Sequence, residues 1–365
     1  MNHSTNVRSA AIRDAVGGAS SVKGYYRLWA ALGGVLLATE AYTLARWIHS
    51  PFFHPSPVGS DPITTTALLA LRSMEAIGAI GFFVALWFFL ISPLINKRGL
   101  NADGKIFIAM ITAYWLDPLY NFTNFVWYYN AYAFNMGSWL DFVPGASAPG
   151  MENFPEPIFG AGCLWFLAFA VAAKFGAKIY ERLRIFFGTN AQLRPLLALF
   201  IIGMLFNFAF ENIYIRMGVF GFASTWRPIT LWAGTIHQFP LYEPPLNSVV
   251  MTCLALVRYH LDSDGAMFFE AGLSKAQVRS ASRTALSILA TTGFGQGLII
   301  FAWMIPFQLI ATHVDTFAPL PSYLSAGICG SKTPRACPDG QFGIPTRYMD
   351  RSFVVAPDDP RLNAS

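Results

Sequence analysis

Six acidic side chains, Glu40, Glu75, Asp117, Glu156, Glu211 and Glu243, stand within or at the ends of segments apolar enough to lie in a lipid bilayer. An ionisable group at that depth costs about 2.5 kcal/mol or more, so it is expected to face the bundle interior or a wet cavity. Asparagines accompany the carboxyls. The run Trp115 to Asn130, WLDPLYNFTNFVWYYN, carries Asp117 with Asn121 and Asn124. At 3.6 residues per turn, Tyr114, Asp117, Asn121, Asn124 and Tyr128 fall on one helix face. Asn207 and Glu211, four residues apart, share a face of another helix. Desolvation and mutual repulsion in such a cluster leave a protonated acid beside an ionised one, which is the equipment of acid–base catalysis. The competing role for intramembrane Asn and Asp is hydrogen-bond glue between helices.

The elements that must position these groups follow from composition. Of 365 residues, 54% are hydrophobic, 16% aromatic and 12% charged, against about 25% charged in a soluble domain. The chain therefore reads as an all-α integral membrane bundle. Its net charge of +5 comes from short basic runs between apolar segments, which is a topology signal and no nucleic-acid footprint. Residues 1–24 lack the apolar core of a cleavable signal and read as a disordered cytoplasmic tail. About seven spans are expected within residues 25–315, near 26–48, 66–93, 103–130, 157–179, 195–217, 243–259 and 284–312. Lysine and arginine concentrate before span one and after spans two, four and six, which places the N-terminus inside and the C-terminus outside, with 316–365 as an extracytoplasmic tail. The aromatic, Pro/Gly-rich loops 131–155 and 219–242 are expected to be ordered, and 262–283 to form an amphipathic interfacial helix. Gly293, Gly295 and Gly297 suit close helix contact.

On this layout Glu40, Glu75, Asp117 and Glu211 all reach the outer half of the bilayer, while Glu156 and Glu243 stand at the outer starts of their spans. Convergence at one depth points to a shared, outward-facing pocket. Other chemistries find little support. His49, His54, His237, His260 and His313 are scattered singly, with no metal or haem spacing, and there is no GxGxxG, P-loop or serine elbow. No metal and no cofactor is called for. Cys163 and Cys253 lie in spans as packing residues, whereas Cys329 and Cys337 fall in the outer tail, where an oxidising face permits a disulfide.

Several short words occur in a fixed order: Trp115-Leu116-Asp117-Pro118-Leu119 with Asn121, Tyr129-Asn130, Asn135-Met136-Gly137-Ser138-Trp139, Pro144-Gly145 and Glu156-Pro157. On this hydropathy profile they resemble the AveC-type spirocyclase family of actinobacterial membrane proteins. The resemblance implies a multi-pass cell-membrane protein that tailors polyketides by closing a dihydroxy-ketone into a spiroketal, in some members with a later dehydration. The match falls on Asp117, Asn121 and Glu156 and extends to Glu211 and Glu243. Such chemistry needs an acid for the leaving hydroxyl, stabilisation of an oxocarbenium and a shaped apolar wall. The residues expected to supply it are Asp117 as acid or stabiliser and Glu211 as its partner of opposite protonation. Asn121, Asn124, Asn207, Tyr128 and Trp139 are expected around the substrate, with Glu40, Glu75, Glu156 and Glu243 behind them. Expected partners are an apolar small-molecule substrate and membrane lipid, with the oligomeric state left open. A non-enzymatic lipid or polyketide carrier or exporter could use the same pocket, and a purely structural membrane subunit is the third possibility.

Overall fold

A computed structural model describes residues 24–96, 99–146, 148, 150–188, 190–330 and 333, and within them the chain is mostly helical. The principal helices are α1 (Tyr25–Ile48), α2 (Thr65–Ile95), α3 (Ala102–Thr112), α4 (Ala161–Phe187), α5 (Leu193–Arg216), α6 (Glu243–Tyr259) and α7 (Ser280–Ala311). Polar caps start two of them: the Thr64 hydroxyl accepts from Ala67 N at 3.2 Å, and Asn101 Oδ1 accepts from Gly104 N at 2.9 Å. Both α2 and α7 contain a π turn, Trp87–Ile91 and Ile300–Met304, just before Pro93 and Pro306. The wider turn relieves the clash of a proline ring with the preceding turn.

Among the described residues, four helices, α1, α2, α5 and α7, are long and apolar enough to cross a membrane, fewer than the seven expected. Of the remaining expected spans, α3 has only 11 residues and α6 only 17, while α4 has 27 and carries Lys174, Lys178, Glu181, Arg182 and Arg184 in its second half. Burial sorts the helices as well. In α1, α2 and α5 only 17% of the apolar stretch is buried, and residues such as Val35, Phe88 and Leu205 stay exposed, whereas α3 and α6 are interior. Helix α1 meets α7 backbone to backbone: a Cβ on Gly33 would lie 2.0 Å from the Leu289 carbonyl, and one on Gly293 would lie 2.0 Å from that of Trp29. The small-residue contact expected of Gly293 is thus present.

The third expected span departs most from its forecast. Helix α3 stops at Thr112 and a 3-10 helix takes over from Ala113 to Asn121, with Pro118 inside it. Pro118 has no N–H to continue the α ladder. Asn121 then pins a sharp turn, its Oδ1 accepting from Val126 N and Trp127 N, both at 2.9 Å, and its Nδ2 donating to Trp127 O at 3.1 Å. The chain enters strand β1 (Trp127–Tyr129), so Asn124 and Tyr128 leave the expected stripe. At three residues per turn the shared face is instead Tyr114, Asp117 and Tyr120.

Short antiparallel strands tie the loop 219–242 to the segment ahead of the first aromatic loop and to residues 316–317, forming a cap, and Asn135 of the first loop bridges to Pro157. Strand β1 pairs with β2 (Phe220–Phe222), β3 (Ser224–Thr225) with β6 (Thr316–Phe317), and β4 (Thr230–Leu231) with β5 (Phe239–Pro240). The segment after α6 does not form the expected interfacial helix. Apart from a 3-10 turn at Phe268–Glu270 it is irregular, anchored where Glu270 takes the Met267 N–H and the Lys105 ammonium. Cys329 is disulfide-bonded, and its expected partner Cys337 lies outside the described residues, as do the expected N-terminal tail through residue 23 and the end of the C-terminal one.

Candidate active site

The 3-10 turn carries Asp117 inward, where it is 1% exposed, and β1 brings Tyr129 over it so that the phenol donates to Asp117 Oδ2 at 2.8 Å. On the other side lies Glu156, also 1% exposed, held between Pro155 and Pro157. The Glu156 and Asp117 carboxyls lie close enough to perturb each other, and no N–H or O–H in the described protein donates to either Glu156 oxygen. Two neighbouring buried carboxyls are expected to hold one proton between them. The Tyr129 donor favours negative charge on Asp117, which leaves the proton on Glu156. The Tyr114 hydroxyl, which donates to the Pro157 carbonyl, also borders Glu156. Burial first, and the Asp117 charge second, hold the Glu156 carboxyl well above the ordinary carboxylate range.

A second carboxyl pair lies alongside. Glu243, the first residue of α6, accepts at Oε1 from the Tyr120 hydroxyl (3.0 Å) and from Trp303 Nε1 (3.1 Å). Glu211 on α5 accepts from Asn207 Nδ2 at 3.1 Å and interacts electrostatically with Glu243. Tyr120 links the two pairs, since its phenol lies in the field of Glu243, Glu211 and Asp117 together. None of the four carboxyls is more than 3% exposed, and among the described residues the ion pairs all lie elsewhere. Left ionised without a cation, each would carry a desolvation penalty of several kcal/mol, which a carboxyl that keeps its proton avoids.

Asp117 was expected to work with Glu211, but its close partner is Glu156, and the close partner of Glu211 is Glu243. Tyr120, Tyr129 and Trp303 were missed as carboxyl ligands. The i, i+3, i+6 spacing of Tyr114, Asp117 and Tyr120 around a proline was the available signal for the first of them.

Four of the five residues expected around a substrate have their polar atoms engaged by the protein. Asn121 holds its turn as described above. Asn124 donates to Ala311 O at 3.0 Å and accepts from Thr123, Tyr128 donates to Ile236 O at 2.9 Å, and Trp139 donates to Trp115 O at 2.8 Å. Only Asn207 keeps a buried acceptor, Oδ1, without a partner. Glu75 is occupied by Arg72 and by Phe134 N, both at 2.6 Å, and Glu40 has a buried, unpartnered Oε2. The site is closed rather than opening outward. An open cleft of about 460 Å³ lies elsewhere, among Tyr42, Arg46, His49, Phe52 and Phe142 at the end of α1.

The family model for AveC-like spirocyclases matches residues 97–322, well over half of the chain. The chain belongs to the AveC-like spirocyclase family. Within this AveC-like chain the match spans both carboxyl pairs, the 3-10 turn and most of the cap, whereas Glu40 and Glu75 precede it and Cys329 follows it. No curated protein and no solved structure matches the chain.

Proposed function

We propose that the chain is a membrane-embedded, spirocyclase-like enzyme that closes a spiroketal, or dehydrates, on a polyketide or similar apolar polyol, with Glu156 as acid and Asp117 as its conjugate partner. The observation that carries this reading is a buried pair of neighbouring carboxyls with no cation beside them in a member of this family. Glu156 gives its proton to a hemiketal hydroxyl, and the C–O bond breaks as water leaves. The resulting oxocarbenium is stabilised by the Asp117 carboxylate and the surrounding aromatic rings. A second hydroxyl then attacks the cation and passes its proton to Asp117. Proton transfer from Asp117 to Glu156 restores the starting state, so atoms and charge balance with no cofactor or oxidant. The burial of the pair supports the reading, since bulk water at an oxocarbenium would give hydrolysis instead.

The accompanying topology has seven crossings, with α3 and its 3-10 extension, α4 and α6 added to the four apolar helices, the N-terminus inside and the C-terminus outside. Its support is the alternation of basic loops. The enzyme reading is tested by expressing the wild type, Asp117→Asn and Glu156→Gln in a host free of competing pathways, followed by comparative metabolite analysis. Purified protein is then assayed on a synthetic dihydroxy-ketone. Wild-type conversion is expected, with a loss of about 10²- to 10⁴-fold in both variants. Binding without conversion by the wild type would leave the carrier in its place.

A further inference from the structure

Helices α5 and α6 carry a matched set of side chains: Asn207 and Glu211 four residues apart on one, Glu243 and Asn247 four apart on the other. Such spacing puts each Asn on the same face as its Glu, and the electrostatic interaction of Glu211 with Glu243 places the two faces opposite each other. The helices are locked nearby. A Cβ on Gly203 would lie 2.4 Å from Ser248 Oγ, and the Ser248 hydroxyl donates across to Phe200 O at 2.6 Å.

All four side chains are buried, with Asn207, Glu243 and Asn247 at 0% and Glu211 at 3% exposure. Yet Asn207 Oδ1, Glu211 Oε2, Glu243 Oε2 and both polar atoms of the Asn247 amide have no hydrogen-bond partner. Buried polar atoms are nearly always paired, and orphans in such number call for a guest. Their types say which guest. A metal cation would satisfy the oxygens and leave the Asn247 donor bare, an anion would meet two carboxyls, and a hydrocarbon would satisfy nothing. A hydroxyl donates once and accepts twice, which suits a set containing both acceptors and a donor.

We propose that Asn207, Glu211, Glu243 and Asn247 form a second binding site, for a hydroxyl group of a neutral polyol, beside the Asp117–Glu156 pair. Tyr120 sets the distance between the two sites. It lies one 3-10 turn beyond Asp117, about 6 Å along the axis, and its hydroxyl is bonded to Glu243. A ligand held here by one hydroxyl presents another part of its chain to the acid, so the site selects by the spacing between polar groups. The ligand class rests on the function proposed above, and for that reason the test reads binding and not turnover.

Leucine matches asparagine in size without its polar atoms. In the full chain in detergent, with no ligand, Asn247→Leu is expected to melt at or above the wild-type temperature, because an unsatisfied donor and acceptor are removed. A fall of several degrees would show that the amide is a structural bond and overturn the site. Three probes follow: 1,9-nonanediol, its dimethyl ether, which cannot donate, and sodium chloride against choline chloride. The diol should raise wild-type melting saturably, with about a tenfold higher concentration needed in Asn247→Leu, and likewise for the ether on wild type. Equal stabilisation by ether and diol, or a specific rise with sodium, would assign the space to apolar packing or to a cation and refute the proposal. Persistence of the diol response in Glu156→Gln separates this site from the acid pair, whatever the fate of the enzyme reading.

Discussion

Two buried clusters of charge-bearing side chains can be set side by side in this molecule. At the start of α3, Asp103 is held by Arg258 and, at 3.2 Å, by Lys174, while Lys105 meets Glu270, which also takes the Ser287 hydroxyl. Every acid there faces a base. Around the 3-10 turn, four carboxyls, none more than 3% exposed, face only one another, phenols, an indole and an amide. The acids are buried in both places, although Lys174 and Arg258 reach solvent, so burial alone does not separate the two clusters. What distinguishes them is compensation: a carboxyl with a cation at hand is fixed in its charged form, whereas one without a cation keeps an exchangeable proton.

The largest effect expected to sharpen this contrast is on turnover. Asp117→Asn and Glu156→Gln should each lose about 10²- to 10⁴-fold in rate while melting near the wild-type temperature. Asp103→Asn should do the reverse. A variant of either cluster with the other's signature would dissolve the distinction. Next in size is Lys105→Met, which strands the Glu270 carboxylate in the interior and should destabilise the protein by about 3–5 kcal/mol, measured by detergent-phase denaturation. Tyr129→Phe removes the donor that holds charge on Asp117 and should cost about 1.5–3 kcal/mol, with a changed pH profile of turnover. A shift in stability with an unaltered profile would make Tyr129 a packing residue only.

A further effect is on pH dependence. Folding raises the Glu156 carboxyl above its value in the unfolded chain, so between those two values the folded state binds the extra proton. Stability from this group is complete below the unfolded pKa, about 4.3, and is lost as pH rises toward the folded one. Wild-type melting should therefore decline from pH 5 toward pH 8, by at most about 1.4 kcal/mol per unit, and Glu156→Gln should flatten that slope. An unchanged slope in the variant would show that Glu156 is not the proton carrier.

Much of the membrane character and each of the four central carboxyls could be read from the amino-acid order, because long apolar runs and the rarity of acids within them are local signals. The pairing of the carboxyls was not legible. It depends on Pro118 converting an α turn into a 3-10 turn, which moves Tyr120 onto the face of Asp117 and takes Asn124 and Tyr128 off it. The cap was equally hidden, since its strands are two or three residues long and two of its three pairings join segments some 90 residues apart in sequence, as Tyr128 does with Gly221. Charge alternation marked where segments end, but an interior helix of 11 residues such as α3 has no hydropathy signature of its own.

That cap also has a history in time. Its final strand, Thr316–Phe317, and the backbone bond from Ala131 N to Tyr323 O at 2.8 Å are made by residues synthesised after all four carboxyls. Chains fold from the N-terminus as they are made. Until those residues arrive, β3 has an open edge and the segment just after β1, the strand that lays Tyr129 over Asp117, lacks its buttress. A chain ended at Ala311 is therefore expected to lack both the β3–β6 pairing and the Ala131–Tyr323 bond that back the strand over Asp117.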